Sequence, residues 1–156
     1  MEHKTPEARV IAVCTSEKRG TKKTPVGEGF LKKNFGLEGD AHAKSDSHRQ
    51  VSLLAYESMK KMEKKGFKPA PGIFAENITT KGIDLLTLKP GSRISIGGEA
   101  ILEITQLGKI CHTKCEIFKL VGECVMPTEG IFARVVKNGK IQNKDQIHII
   151  QIGADQ

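Results

Sequence analysis

Hydrophobic residues along the chain fall in short runs whose period changes with position. Over residues 8–16 the β-branched positions Val10, Ile11, Val13 and Thr15 predict a first strand, with Cys14 facing a core. Residues 49–54 read as a strand running into a helix. From 55 to 65, Tyr56, Met59 and Met62 recur at three-residue spacing with lysines opposite, and Gly66 is the expected stop. This stripe predicts a core-facing side rather than a cofactor box. Short β-type runs follow over 77–80, 85–88, 93–96, 100–106, 131–136 and 146–152. Gly97-Gly98 carries a two-residue hairpin signal, and Asn138-Gly139 closes the run before it. Strands this short and frequent, with a few small helices, predict a mostly β protein, a β-barrel of largely antiparallel strands in one domain over residues 1–156.

Two stretches depart from this alternation. Residues 17–29 form a loop rich in Lys, Gly, Thr and Pro, with cations at Lys18, Arg19, Lys22 and Lys23. It reads as a solvated surface loop or as an arm closing over an anionic ligand. Residues 35–43, Phe-Gly-Leu-Glu-Gly-Asp-Ala-His-Ala, place two glycines where the backbone needs unusual angles or a ligand comes close. No Lys-Ser/Thr follows the second glycine, so this is not a P-loop. His42 and His48 bracket a polar stretch, too isolated to define a metal site.

With 156 residues the chain is long enough to bury a core without disulfides or metal. The longest apolar run, residues 10–14, is far too short to span a bilayer, and the N-terminus has no signal-peptide core, so the expectation is a cytoplasmic protein without membrane contact. Lys plus Arg is 25 against 18 acidic residues, a net charge of +7, which favours anionic partners. Aromatics are only 4%, too few for base-stacking platforms, which argues against nucleic acid as a partner and for an anionic small molecule.

Chemistry is densest at Cys111, His112, Cys115 and Cys124. Thr113 to Glu116 has the form of a capping box, predicting a helix over residues 114–121 with Cys111 just ahead of it. Helix-terminal N–H groups with Lys109, His112 and Lys114 favour thiolate over thiol, marking Cys111 as a candidate reactive thiol able to hold a persulfide. Inert cysteines, or a zinc or iron–sulfur site from Cys111, Cys115, Cys124 and His112, remain alternatives; the single distant third cysteine is atypical of metal knuckles. So does a binding module without chemistry, recognising nucleic acid or an acidic partner through the basic loops.

Several motifs in order resemble one family. They are Gly36-Leu37-Glu38-Gly39-Asp40-Ala41-His42, His48-Arg49-Gln50-Val51-Ser52-Leu53-Leu54, and Phe74-Ala75-Glu76-Asn77-Ile78-Thr79-Thr80-Lys81-Gly82. Then come Lys89-Pro90-Gly91-Ser92-Arg93-Ile94-Ser95-Ile96-Gly97 and a strand ending Thr105-Gln106, five residues before Cys111. Together they resemble the MOSC domain, named after the C-terminal domain of molybdenum cofactor sulfurase, in its stand-alone bacterial form. The resemblance implies a β-barrel and a sulfur-carrier or molybdenum-cofactor-binding role. Cys111 matches the family cysteine, which accepts sulfur from a pyridoxal-phosphate cysteine desulfurase or ligates molybdenum. It further implies a molybdenum-cofactor enzyme or desulfurase as partner, with pyridoxal phosphate on that partner rather than here; whether this chain turns over a substrate stays open. Arg49, Lys109 and Arg134 are the expected anion contacts, and Asp40 and Asn77 would shape the pocket through hydrogen bonds. Much of the family reads Gln-Pro-Arg-x-Pro-Cys before the cysteine; here the stretch is Gln106-Leu107-Gly108-Lys109-Ile110-Cys111, with Lys109 a partial substitute for the Arg fork.

Overall fold

A computed structural model describes residues 8–18, 21–66, 68–108 and 129–153. Lys109, Cys111, His112, Cys115 and Cys124, with the helix expected over 114–121, lie outside the described residues. The strands are β1 (Arg9–Thr15), β2 (Thr24–Pro25), β3 (Glu28–Lys32), β4 (Gly36–Leu37), β5 (Val51–Ala55) and β6 (Ile78–Lys81). They continue as β7 (Arg93–Ile96), β8 (Ala100–Leu107), β9 (Ile131–Lys137), β10 (Gly139–Gln142) and β11 (Ile147–Gln151). The helix α1 (Tyr56–Lys60) runs into a 3-10 turn, Lys61–Lys65, that ends at Gly66 with φ of 82°. Only glycine takes that left-handed angle without strain, which is why the helical pattern stops there.

Eight strands form one sheet in the order β11-β7-β8-β9-β5-β6-β1-β2. Every neighbouring pair is antiparallel except β5 and β6, whose parallel pairing needs the crossover that contains α1. The sheet curls until its far strands meet: Arg9 bridges Gln146, and Ile147 N–H donates to Ala8 O at 2.8 Å. The small sheet β10-β3-β4 supplies Leu31, Leu37 and Ile141 to the core, against Val10, Val13, Leu53, Ile78 and Leu102 of the large one. On the other face of β5, Leu54 packs with Met59, Met62, Phe74 and Phe132. β5 is therefore buried on both faces, and all five of its residues are buried rather than every second one. Both methionines of the predicted stripe face this second cluster, with Tyr56 at its margin.

Four expectations need correction. Residues 85–87 form a 3-10 turn rather than a strand, because Asp84 caps Leu86 N–H at 3.1 Å and Thr87 Oγ1 donates to Asp84 O at 2.7 Å. The β7–β8 hairpin pairs Ile96 with Ala100, so its loop holds Glu99 as well as the two glycines. Asn138-Gly139 is a corner where the chain changes sheets: β9 pairs with β8 and β5, whereas β10 pairs with β3. A Cβ on Gly139 would lie 2.4 Å from Ala100 N, so this crossing requires glycine. Finally, residues 17–29 are not wholly a solvated loop, since they contain β2, the start of β3 and the buried Lys23. Among the described residues no helix is long and apolar enough to cross a membrane.

Candidate functional site

β8 and β9 pair to their ends, Leu107 opposite Ile131, and Gly108 N–H donates to Gly130 O at 2.6 Å. The chain that contains Cys111 therefore leaves and re-enters at this one place. Gln106 organises the described residues there. Its Nε2 donates to Gly108 O at 2.7 Å, which orients the amide so that Oε1 is free to accept. That oxygen receives Arg49 Nε at 3.1 Å and lies 3.0 Å from His48 Nε2. The Arg49 guanidinium lies 5.4 Å from the centre of the Phe132 ring, a cation–π contact of about 0.5–1 kcal/mol at a partly exposed site. Thr105 Oγ1 donates to the His48 carbonyl, tying the loop to β8. Arg49 is thus fixed through Nε and its ring stack, while its terminal nitrogens make no bond among the described residues.

Asp40 belongs to a second, buried group that includes Lys23, a residue not singled out from the sequence as a site. Lys23 Nζ lies 2.7 Å from Asp40 Oδ1, and both side chains are fully buried. Nζ also lies 2.9 Å from Ser16 Oγ and 3.0 Å from His42 Nδ1. Asp40 further accepts the Ser16 and His42 backbone N–H groups, each at 3.0 Å. Burial opposes ionisation of Asp40, but the Lys23 ammonium and the His42 backbone N–H outweigh it and hold the carboxyl well below the usual range. Burial likewise lowers Lys23 from the ordinary lysine value, with Asp40 working against it. The sequence shows no difference between Lys22, which is exposed, and Lys23; only a strand register could have separated them.

Asn77 is buried, and its amide is engaged inside the protein. Oδ1 accepts Ser52 N–H at 3.0 Å, and Nδ2 donates to Cys14 O at 3.1 Å, so it clamps β5 and β1 together. Next to it Glu76 is buried, with Oε2 accepting Gly72 N–H at 2.9 Å and Thr79 Oγ1–H at 2.6 Å, while Oε1 has no hydrogen-bond partner among the described residues. Burial pushes its carboxyl up, against those hydrogen bonds. Cys14 is the buried core thiol expected from the sequence, pushed up to about 12 by burial and then by Glu76.

Arg134 sits on β9 in a charge ladder across the sheet. Its Nε donates to Glu103 Oε2 at 2.9 Å, and Arg93 pairs with Oε1 of the same carboxylate at 3.1 Å. The structure therefore engages Arg134 with an internal carboxylate, and places Asp40, Asn77 and Arg49 in three separate hydrogen-bond groups. A groove of about 510 Å³ beside α1, lined by Glu57, Ser58, Lys61, Ile83, Asp84 and Glu129 among others, includes none of the expected site residues. Among the described residues no three His, Cys, Asp or Glu side chains cluster as a metal site.

A curled eight-strand sheet closed over a three-strand sheet, with His48, Arg49 and Gln106 gathered where β8 and β9 stop pairing, defines a small barrel-like β protein. The chain belongs to the MOSC domain family, whose model matches residues 38–148. The YuaD protein of Bacillus subtilis shares its fold at a TM-score of 0.77 and 18% identity, covering 95% of this chain and 98% of that one. YiiM from Geobacillus stearothermophilus matches at 0.70 and 18%, covering 92% and 75%, and YiiM from Escherichia coli at 0.68 and 19%, covering 94% and 72%. No curated protein sequence matches the chain significantly. The family is associated with the molybdenum cofactor.

Proposed function

We propose that this protein is a sulfur-carrier or molybdenum-cofactor-binding MOSC protein in which Cys111 handles sulfur and Arg49 holds an anionic group nearby. The observation that supports the reading most is the convergence of His48 and Arg49 on Gln106, at the strand end from which the chain leads to Cys111. The residues fit a phosphate-bearing cofactor in one specific respect: the terminal nitrogens of Arg49, which make no bond among the described residues, form a planar fork suited to two oxygens of one phosphate. Lys109, close to Cys111 in sequence, would add positive charge. When bound, the cofactor would supply a metal centre with sulfur ligands; this chain's residues would supply the anion contact and the thiol.

In the carrier step the Cys111 thiolate attacks the terminal sulfur of a persulfide on a cysteine desulfurase. The donor's S–S bond breaks, the donor cysteine leaves as thiolate, and Cys111 becomes the persulfide. No external oxidant or reductant is required. Intact-mass spectrometry after incubation with a cysteine desulfurase and cysteine tests this on the wild type and each Cys→Ser variant. A gain of one sulfur lost only in Cys111→Ser is the expected result. No sulfur on any variant, or a gain that survives Cys111→Ser, overturns the carrier reading.

A further inference from the structure

The Lys23–Asp40–His42 group contains a proton assignment that its geometry nearly fixes. Ser16 Oγ donates its own proton to Lys18 O at 2.8 Å, so toward Lys23, 2.9 Å away, it can only accept. Asp40 Oδ1, a carboxylate oxygen, also accepts from Nζ. Two Nζ protons are thereby assigned, and the third contact, to His42 Nδ1 at 3.0 Å, depends on the charge of Lys23. An ammonium has a third proton to donate; a neutral amine has a lone pair and would receive a proton from the ring. The Asp40 side chain has no exposure to water, and Lys23 is the cation against it, so a neutral amine would leave the carboxylate buried without a counter-charge.

We infer that Lys23 is a positioning residue that holds His42 in the Nε2–H tautomer, so that the ring offers ligands a hydrogen-bond donor. The His42 side chain is 24% exposed, and Nε2 has no partner among the described residues. Its backbone N–H is also held by Asp40 Oδ2, so both ring and main chain are fixed. A donor of this kind takes an acceptor such as a phosphate oxygen. With Nδ1 occupied by an ammonium proton, that nitrogen is closed to a metal cation. Binding of an anion at His42 rests on the functional reading above; the tautomer does not.

Long-range proton–nitrogen correlation spectra of the labelled protein test the tautomer directly, with His42 assigned from a His42→Gln variant. One cross-peak pattern, that of Nε2–H, is expected in the wild type. In Lys23→Met the nearest partner left for Nδ1 is Asp40 Oδ2, 3.6 Å away, and the pattern should reverse to Nδ1–H. An Nδ1–H pattern in the wild type overturns the inference, and that spectrum decides even if Lys23→Met does not fold. Titration with inorganic phosphate then tests the ligand: the Nε2–H resonance should shift, and His42→Leu should weaken binding about tenfold. Shifts at Arg49 without shifts at His42 overturn the donor role alone. Shifts at neither overturn both the anion site proposed at Arg49 and the ligand role of His42, leaving the tautomer to stand or fall on its own spectrum.

Discussion

Replacing Asp40 by Asn is the most direct perturbation of the buried pair, because it removes the charge with almost no change of shape. At 2.7 Å the two charges attract by roughly 6 kcal/mol at an effective dielectric of about 20. Desolvating two ions costs several kcal/mol each, so the intact pair adds little over a well-packed apolar pair. Breaking it on one side is different: the Lys23 ammonium would stay at zero exposure with no counter-charge, which costs about 3–5 kcal/mol. The asparagine must also set an NH2 group against either the Lys23 and Ser16 donors or the His42 N–H, losing a hydrogen bond in both orientations. Loss of the Lys23 proton caps the penalty, since neutralisation is the cheaper escape for a stranded charge. Urea unfolding at neutral pH measures the effect. With a slope of about 1–3 kcal/mol per molar, the midpoint should fall by roughly 1–5 M. The double variant Lys23→Met/Asp40→Leu should recover most of that loss, because neither charge remains to be buried. An unfolding free energy for Asp40→Asn within about 0.5 kcal/mol of wild type, or a double variant worse than both singles combined, would refute the reasoning.

The same groups set the pH dependence. Asp40 has a folded pKa below its unfolded value of about 3.9, so its stabilisation is complete above that pH and is lost as pH falls toward the folded pKa; Asp40→Asn should remove this acid limb from a stability–pH profile. Glu76 has the opposite sign: its folded pKa is raised, so stability falls as pH climbs from about 4.3 through the folded value, and Glu76→Gln should flatten that fall in the same measurement. Cys14, pushed up to about 12 and fully buried, should resist iodoacetamide in the native protein and react after denaturation; labelling at equal rates in both states contradicts its placement. Gly72→Ala would put a Cβ 2.1 Å from the Lys23 carbonyl at φ of 87°, and should lower stability by at least about 1–3 kcal/mol in thermal unfolding.

Which parts of this were legible in the sequence follows from how local each signal is. Strands alternate every two residues and helices stop at left-handed glycines, so β1, β7, β8 and α1 could be read from a few neighbouring positions. The 3-10 turn at Leu85–Thr87 could not, because a run of Leu-Leu-Thr-Leu fits a strand until one knows that the Asp84 side chain reaches Leu86 N–H. Asn138-Gly139 has a hairpin composition, yet partner choice is a long-range matter: β10 crosses to β3, more than a hundred residues earlier. At the site, Asp40 and Arg49 came from motif resemblance, while Lys23 lay in a run of similar cations. Its burial depends on Lys23 N–H donating to Gly72 O at 2.7 Å, a contact between segments about fifty residues apart.

The net charge of +7 suggested an anion-binding surface, but the structure sorts the cations unevenly. Lys23 is neutralised inside by Asp40; Arg93 and Arg134 share Glu103, Lys61 pairs with Glu129, and Lys140 with Glu28. Arg49 differs from all of these. Its side chain is already held by Gln106 and the Phe132 ring, so an anion reaching its terminal nitrogens would order little that is not ordered beforehand. A flexible surface lysine offers the same charge but loses side-chain freedom on binding. The loop that carries Arg49 is fixed along its length: Asp40 is anchored at one end, Lys44 N–H donates to Phe35 O, Asn34 bonds Asp46, and Gln50 accepts Val135 N–H at the other end. Preorganisation of one arginine, rather than total charge, is therefore what sets Arg49 apart from the other cations at the end where β8 and β9 stop pairing.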